Sequence, residues 1–547
     1  MTKPVRLDRF VYLLMVVVLV VVLLNVHLWV ITTGTEGAIA DISREMLARG
    51  NFMHPSLLGV DDFSYFPGPL WFTSLGMKLW GINPFGARFF VQICLVVQVV
   101  FTYRISMRLF GMPHMGLLAG LVYLSCPLVL ACSRYLSADI FAATFVLGAI
   151  YCTLFYHLDK RPVGLYGLAV MLALSALCGG VSSLLLPLTL GTYVLLFGPA
   201  NYWVHWRHAI AATVLGIALT SFWFIHANTH ISDFWIYTRK IFWRDPFFGP
   251  PLHPRWQYGL GFVLGSLPWW VVVVPNLTGP IWQNPTVGQV SILWLGLPLL
   301  FYSLTGSISL AGLLPVLAGF SILVAYLVHT LSQQQLWQYS RWFAQSYGTL
   351  AALALVIPMG YQILGQASAV TWPMAIPAIG VLGIVTWLYR FTRVSPRVRL
   401  VTLVLVPSLI LLLYGGYYVQ ANGPWKESTD IVSRVIQQRR LEKLPVLVYN
   451  ETLPSLAFGL NRDTITINDG LVSKTDGLAA HNLAISDSKS RWIHLGNPSA
   501  NRLLRRLMTE PSVLVMPGKL PARWNWVKIN YPKMEWAGRW LVLYRPQ

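Results

Sequence analysis

Charge is scarce in this chain. Charged residues make up 11% of its 547, and only 20 are Asp or Glu. A soluble domain carries roughly a quarter charged residues. With 55% hydrophobic residues and a mean hydropathy of +0.58, an ordinary soluble chain is excluded and a protein with many membrane spans is implied. Cysteine is scarce too. All five, Cys94, Cys126, Cys132, Cys152 and Cys178, lie in or beside apolar runs. None stands in a CxxC or His/Cys spacing, which excludes a zinc finger and leaves free, buried thiols. Repeats with a period of roughly 20–50 residues are absent, as are low-complexity segments, so a solenoid is excluded. The net charge of +20 reads as cytoplasmic loop charge and contact with an anionic bilayer, and nucleic acid is not expected as a partner.

What is there begins with "MTKPVRLDRF" and the apolar run "VYLLMVVVLVVVLLNVHLWVI". The run is longer than a signal-peptide core and no small-residue cleavage site follows, so an uncleaved first span with its basic end inside is expected. Further spans are expected to start near residues 86, 115, 138, 163, 182, 208, 258, 290, 310, 342, 371 and 399, about thirteen in all. Basic clusters at Arg104 and Arg108, Lys160 and Arg161, Arg207, and Arg390, Arg393, Arg397 and Arg399 mark the cytoplasmic side. The two long loops, 32–85 and 229–257, then face out. From about residue 420 the composition changes, and 420–547 hold 18 Lys and Arg and 10 Asp and Glu. The strand-like runs "PVLVYN", "DTITIN", "SVLVMP" and "WLVLYRP" alternate with helical segments. The expected fold is therefore an α-helical polytopic membrane protein over 1–419 with a small soluble α/β domain over 420–547 on the outer face of the membrane.

Few carboxylates means that each one near a membrane edge is informative. "GTEGAIADISREML" carries Glu36, Asp41 and Glu45 just past the first span. Two readings stand: a solvated acidic face at a helix start, or an acidic group of a site on Glu36, with Asp41 beside it. Glu45 is expected to matter little. Asp139 in "YLSADIF" lies at the outer end of another span, either as a functional carboxylate or as an ion pair with Arg134 or Arg88. Tyr65 stands in "SYFPGPLW", a Pro-Gly-Pro turn that either contacts substrate or simply re-enters the membrane. In the second long loop Arg239, Lys240, Arg244, His253 and Arg255 are interleaved with Trp, Phe and Tyr. Such a loop can hold a phosphate and stack a sugar, or lie along the interface as an aromatic belt.

The motifs "TEGAIADISREMLARG", "FGARFF", "YLSADIF", "DFWIYTRKIF", "GSLPWW" and "RWLVLYRP", in this order, carry a resemblance. The chain is similar to GT-C membrane glycosyltransferases, most of all to the bacterial aminoarabinose transferases of lipid A and to the protein O-mannosyltransferases. The resemblance implies transfer of a sugar from a polyprenyl (undecaprenyl) phosphate donor to lipid A, another envelope acceptor or protein, at the outer face of a bacterial inner membrane, with residues 420–547 in the periplasm. It implies acidic groups at Glu36, Asp41 and Asp139, and substrate contacts from Thr35, Tyr65, Arg88, Arg239, Lys240, Arg244, His253 and Arg255. No residue is assigned as a metal ligand, and a divalent metal ion is the alternative to cationic side chains for holding the leaving phosphate. The chain departs from the family's pattern in four places. Thr35 replaces the aspartate of the first-loop acidic pair, and Ser64-Tyr65-Phe66, Cys178-Gly179-Gly180 and "SLTGSIS" at 303–309 replace lysine-bearing segments. A non-catalytic GT-C relative that binds lipid is therefore the second reading. A transporter or flippase is the third, weakened by the lack of charge at mid-span.

Overall fold

The computed structural model describes residues 29–63, 65–197, 205–230, 256–276, 285–305, 309–363, 379–380, 383, 397, 399–407, 428–468, 492–494, 498–518 and 530–545. In chain order they form helix α1 (Thr35–Arg49), the two short strands β1 (Ser56–Leu57) and β2 (Val60–Asp61), α2 (Pro67–Trp80), α3 (Pro84–Phe110) and α4 (Pro113–Ser125). The helices α5 (Ala138–Asp159), α6 (Val163–Gly179), α7 (Leu185–Phe197), α8 (Trp206–His230), α9 (Leu297–Thr305), α10 (Leu314–Thr330) and α11 (Gln333–Ile363) follow. The C-terminal part is α12 (Ser428–Gln438), β3 (Val446–Tyr449), α13 (Pro454–Leu460), β4 (Ile465–Asn468), β5 (Trp492–His494), α14 (Pro498–Thr509), β6 (Val513–Pro517), β7 (Lys533–Ala537) and β8 (Trp540–Tyr544).

Proline opens α2, α4, α10 and α13 within their first two positions. The missing N–H costs nothing there and the fixed φ suits the helix. Among the described residues four helices are long and apolar enough to cross a membrane: Pro84–Phe110, Ala138–Asp159, Trp206–Thr229 and Leu310–Thr330. Trp256–Gly265 and Trp270–Asn276 would make a fifth span, bent by 88° at "SLPW", where Pro268 cannot donate a helical hydrogen bond. The spans expected near residues 10 and 371 lie outside the described residues. The helix expected from 342 starts instead at Gln333. Its first turns, "QQQLWQYSR", are too polar to read as a span and still helical.

The described residues divide into two units: those within 91–225 and 242–423 in one, those within 27–90, 226–241 and 424–547 in the other. In the first, burial is graded. The window within Leu310–Thr330 is 89% buried and that within Trp206–Thr229 only 11%. Ile210, Val214, Ile217, Phe222 and Ile225 are exposed on α8, as a lipid-facing helix requires. Buried polar groups are paired. Gln98 Nε2 donates to Thr144 Oγ1 (2.8 Å) and its Oε1 accepts from the Tyr123 hydroxyl (2.7 Å), joining α3, α4 and α5 where an orphan amide would be costly.

The second unit holds α1 to α2, the start of α3, and a six-stranded sheet in the order β5-β4-β3-β6-β8-β7. β5, β4, β3 and β6 run parallel; β8 is antiparallel to both β6 and β7. Alternate residues serve opposite faces. Val446, Val448, Val513, Val515 and Val542 pack with Val432 and Ile436 of α12 and Leu456 of α13. Leu447, Tyr449, Leu514, Met516 and Leu543 pack with Leu504 and Met508 of α14. With both faces covered, parallel strands read as continuous apolar runs, as "PVLVYN" and "SVLVMP" do.

Candidate functional site

The site begins with a glycine. Gly34 has φ +87°, a conformation other residues rarely adopt, and its carbonyl accepts from Ala38 N (2.9 Å). This turns the chain into α1 with Thr35 exposed at the first position and Glu36 in the first turn. Every residue from Glu36 to Met46 is buried. The reading of a solvated acidic face is therefore corrected. The three carboxylates are inside the protein because each has partners that a local pattern does not display.

Glu36 Oε1 accepts from Arg88 Nε (2.8 Å) and lies 2.7 Å from Nη2, and Oε2 accepts from Thr32 N (2.9 Å) and Thr32 Oγ1 (2.7 Å). Both charged side chains are essentially inaccessible. Arg88 also donates to the carbonyls of Trp29 and Val30. One guanidinium thus ties the carboxylate to the segment that precedes α1, a charge-assisted network at the start of the loop. The start of α3 is fixed by close packing: a Cβ on Gly76 would lie 2.3 Å from the Gly86 carbonyl. Asp139 was expected to pair with Arg134 or Arg88; Arg88 is held instead by Glu36.

One turn on, Asp41 Oδ1 accepts from Arg44 Nε (2.7 Å), while Oδ2 is buried without a hydrogen-bond partner. Burial pushes the Asp41 carboxyl up to about 7, against the pull of Arg44. Arg44 Nη2 reaches Asp463 Oδ1 at 3.1 Å and lies 3.9 Å from Glu45 Oε1. Glu45 is a structural group. Its oxygens accept from Ser56 Oγ (2.7 Å), Gly59 N (3.2 Å) and Arg49 Nη2 (3.1 Å), which holds the β1–β2 turn on α1. No three His, Cys, Asp or Glu side chains gather as metal ligands among the described residues. Amid Asp41, Glu45 and Asp463 the guanidinium of Arg44 occupies the place a cation would take, so these residues do not fit a metal.

Asp139 sits in the first turn of α5, capped by Ser137, whose Oγ accepts from Asp139 N (3.3 Å). Its Oδ2 accepts from Ser309 N (2.8 Å). It lines a cavity of about 340 Å³, counting the open mouth, with Ser183, Leu186, Tyr302, Gly312 and Val316 among its walls. Tyr65 is half-buried ahead of α2. Arg239, Lys240, Arg244, His253 and Arg255 lie outside the described residues, as does most of the loop that carries them. Sequence reasoning missed Thr32, Arg44, Asp463, Ser309 and Tyr302. The three-residue spacing of Asp41 and Arg44 was a usable signal; the partners from distant segments left none.

Over 98% of its length the chain superposes on 99% of the ArnT chain from Cupriavidus metallidurans bound to undecaprenyl phosphate, with a TM-score of 0.77 and 17% identity. The chain has the GT-C fold. The apo form of that protein matches with the same TM-score over 99% of both chains. Residues 64–226 match the family described as dolichyl-phosphate-mannose-protein mannosyltransferase. The undecaprenyl phosphate-alpha-4-amino-4-deoxy-L-arabinose arabinosyl transferase of Erwinia tasmaniensis is 25% identical over 500 residues, 84% of each chain. Its counterpart in Photorhabdus laumondii is 25% identical over 378 residues, 64% of this chain and 66% of that one. In this fold Glu36 stands on the first long loop, its partner Arg88 near the start of α3, and Asp139 at the start of a helix long enough to span a membrane.

Proposed function

We propose that the chain is a membrane glycosyltransferase that moves a sugar from undecaprenyl phosphate to lipid A or another envelope acceptor at the outer face of the inner membrane. The observation that carries this reading is the buried charged core of the first loop, Glu36 with Arg88 and then Asp41 with Arg44, in a fold shared along its length with a protein bound to undecaprenyl phosphate. In the reaction an acceptor oxygen attacks the sugar's anomeric carbon, the bond to the carrier phosphate breaks, and undecaprenyl phosphate leaves. A hydroxyl acceptor surrenders its proton to a carboxylate. Asp41 suits that task, because a carboxyl near 7 is matched to neutral pH. Glu36 holds Arg88 in place, and Arg88 in turn fixes the Trp29–Val30 segment that leads into α1. Thr35 and Tyr65 belong to the substrate face of the same loop. The cations of the second long loop are the remaining phosphate-binding candidates, and Asp139 the carboxylate of a second pocket. In this reading the chain has about thirteen spans, its N-terminus in the cytoplasm and residues 420–547 in the periplasm.

The second reading, a lipid-binding relative without transfer activity, is favoured by two observations. Both oxygens of Glu36 are already engaged, and the segments at 178–180 and 303–309 carry no lysine. Purified protein incubated with undecaprenyl phosphate–aminoarabinose and lipid A decides between them. Transfer that falls with Glu36→Gln and Asp41→Asn supports the enzyme; binding of undecaprenyl phosphate without any transfer supports the relative.

A further inference from the structure

The C-terminal half reaches the first loop at two points. Helix α13 starts at Pro454 and ends at Leu460, and the next residue, Asn461, has a φ of 49° that turns the chain so that Asp463 follows just before β4. At one end of α13 Ser455 packs on Gly37, the neighbour of Glu36. A Cβ on Gly37 would lie 3.1 Å from both the Cβ and the backbone N of Ser455, and 2.9 Å from the Thr32 carbonyl. At the other end Asp463 Oδ1 takes Arg44 Nη2 at 3.1 Å. Ser455 is itself held by Thr429 at the head of α12 (Oγ to Oγ1, 3.2 Å). The two contacts lie about two turns apart on α1, so together they fix both its position and its rotation. A helix with Glu36, Asp41, Arg44 and Glu45 all inside needs such external fixing, because a small rotation would break several charge-assisted bonds at once.

We propose that Ser455 and Asp463 are positioning residues that hold α1 and thereby set Glu36 against Arg88, making the C-terminal half part of the transfer machinery. This rests on the reading of Glu36 and its neighbours as the working site. Asp463 touches no substrate and acts through Arg44. Its charged side chain is 44% exposed while that of Arg44 is 5% exposed. Replacing it therefore leaves no buried charge of its own and does not threaten the fold as loss of Arg44 would. The contact at Gly37 is tighter. An alanine there meets backbone at 2.9 Å and 3.1 Å, and α13 or the Thr32 segment must move.

The test uses the full-length protein in detergent with Asp463→Asn and Gly37→Ala. Hydrogen exchange across residues 35–49 is measured alongside transfer from undecaprenyl phosphate–aminoarabinose. The expected result is faster exchange in 35–49, a kcat about tenfold lower, a donor KM within twofold of wild type, and recovery of most of the loss in Asp463→Glu. That tenfold is the scale of a catalytic group displaced by a fraction of an ångström. Faster exchange with unchanged kcat makes the contacts merely structural and overturns the proposal, as does unchanged exchange in both variants. Exchange needs no turnover, so the failures separate. If wild type transfers nothing, the functional reading falls, whereas the hold of α13 and Asp463 on α1 still stands or falls on the exchange data.

Discussion

Glu36→Gln perturbs the candidate site most sharply. The carboxylate accepts three hydrogen bonds, one from Arg88 Nε on Oε1 and two from Thr32 on Oε2, and Arg88 Nη2 lies 2.7 Å from Oε1. Glutamine offers one oxygen and one NH₂. If its oxygen faces Arg88, the NH₂ meets the Thr32 N–H, while the Thr32 hydroxyl can turn to accept from it; if it faces Thr32, the NH₂ meets the guanidinium. Either way a donor points at a donor, and Arg88 keeps a buried charge without its partner. Breaking one side of a buried ion pair costs about 3–5 kcal/mol, so the variant melts several degrees below wild type in a fluorescence scan in detergent. Transfer falls by about a hundredfold or more, the scale of losing an acid–base group or what orients it. The double variant Glu36→Gln/Arg88→Gln separates the two effects. It removes the stranded charge and recovers part of the melting temperature, while transfer stays low. A Glu36→Gln protein that melts with the wild type and transfers at full rate would refute both the geometry and the role.

Four further expectations follow from the same structure. Asp41 holds its proton up to about 7 in the folded protein against a usual value of 3.8; its contribution to stability is full below that usual value and is lost as pH rises through 7. Asp41→Asn should therefore flatten the fall in melting temperature between those two pH values and abolish the rise in transfer through neutral pH; an unchanged profile would exclude Asp41 as the titrating group. Asp139→Asn retains an acceptor for Ser309 N and should keep the fold, whereas Asp139→Ala should cost about 1–2 kcal/mol for the unsatisfied donor. Both should lower transfer, and full activity in the Asn variant would remove Asp139 from the site. Thr35→Asp, at the exposed first position of α1, should leave stability unchanged or raise it by about 0.3–1 kcal/mol and leave transfer unchanged or higher; a large loss of transfer would assign the Thr35 hydroxyl to substrate. Reporter fusions near residue 110 and after residue 425 should report opposite sides of the membrane, and the same side for both would overturn the topology.

The helix starts near 86, 115, 138, 163, 208 and 258 were readable because an apolar stretch opened by proline or a cap announces itself locally. So were the strand runs that became β3, β4, β6 and β8. The burial of α1 was not. Three acidic residues in fifteen resemble a surface helix, and what inverts that reading lies far along the chain: Arg88 is 52 positions from Glu36 and Asp463 is 419 from Arg44. Charge pairs of that range leave no periodicity to detect. The same gap hides the partners of Glu45, since Ser56 and Gly59 lie 11 and 14 positions further along the chain. The start of α11 was missed for the opposite reason, since its first turns are polar and helical at once.

The central claim is tested most directly by single-turnover transfer with the purified protein and radiolabelled undecaprenyl phosphate–aminoarabinose. With lipid A present, the label should move to lipid A and undecaprenyl phosphate should appear in equal amount. Undecaprenyl phosphate–sugar that binds and remains intact, with this donor and with other sugars on the same carrier, would contradict the account.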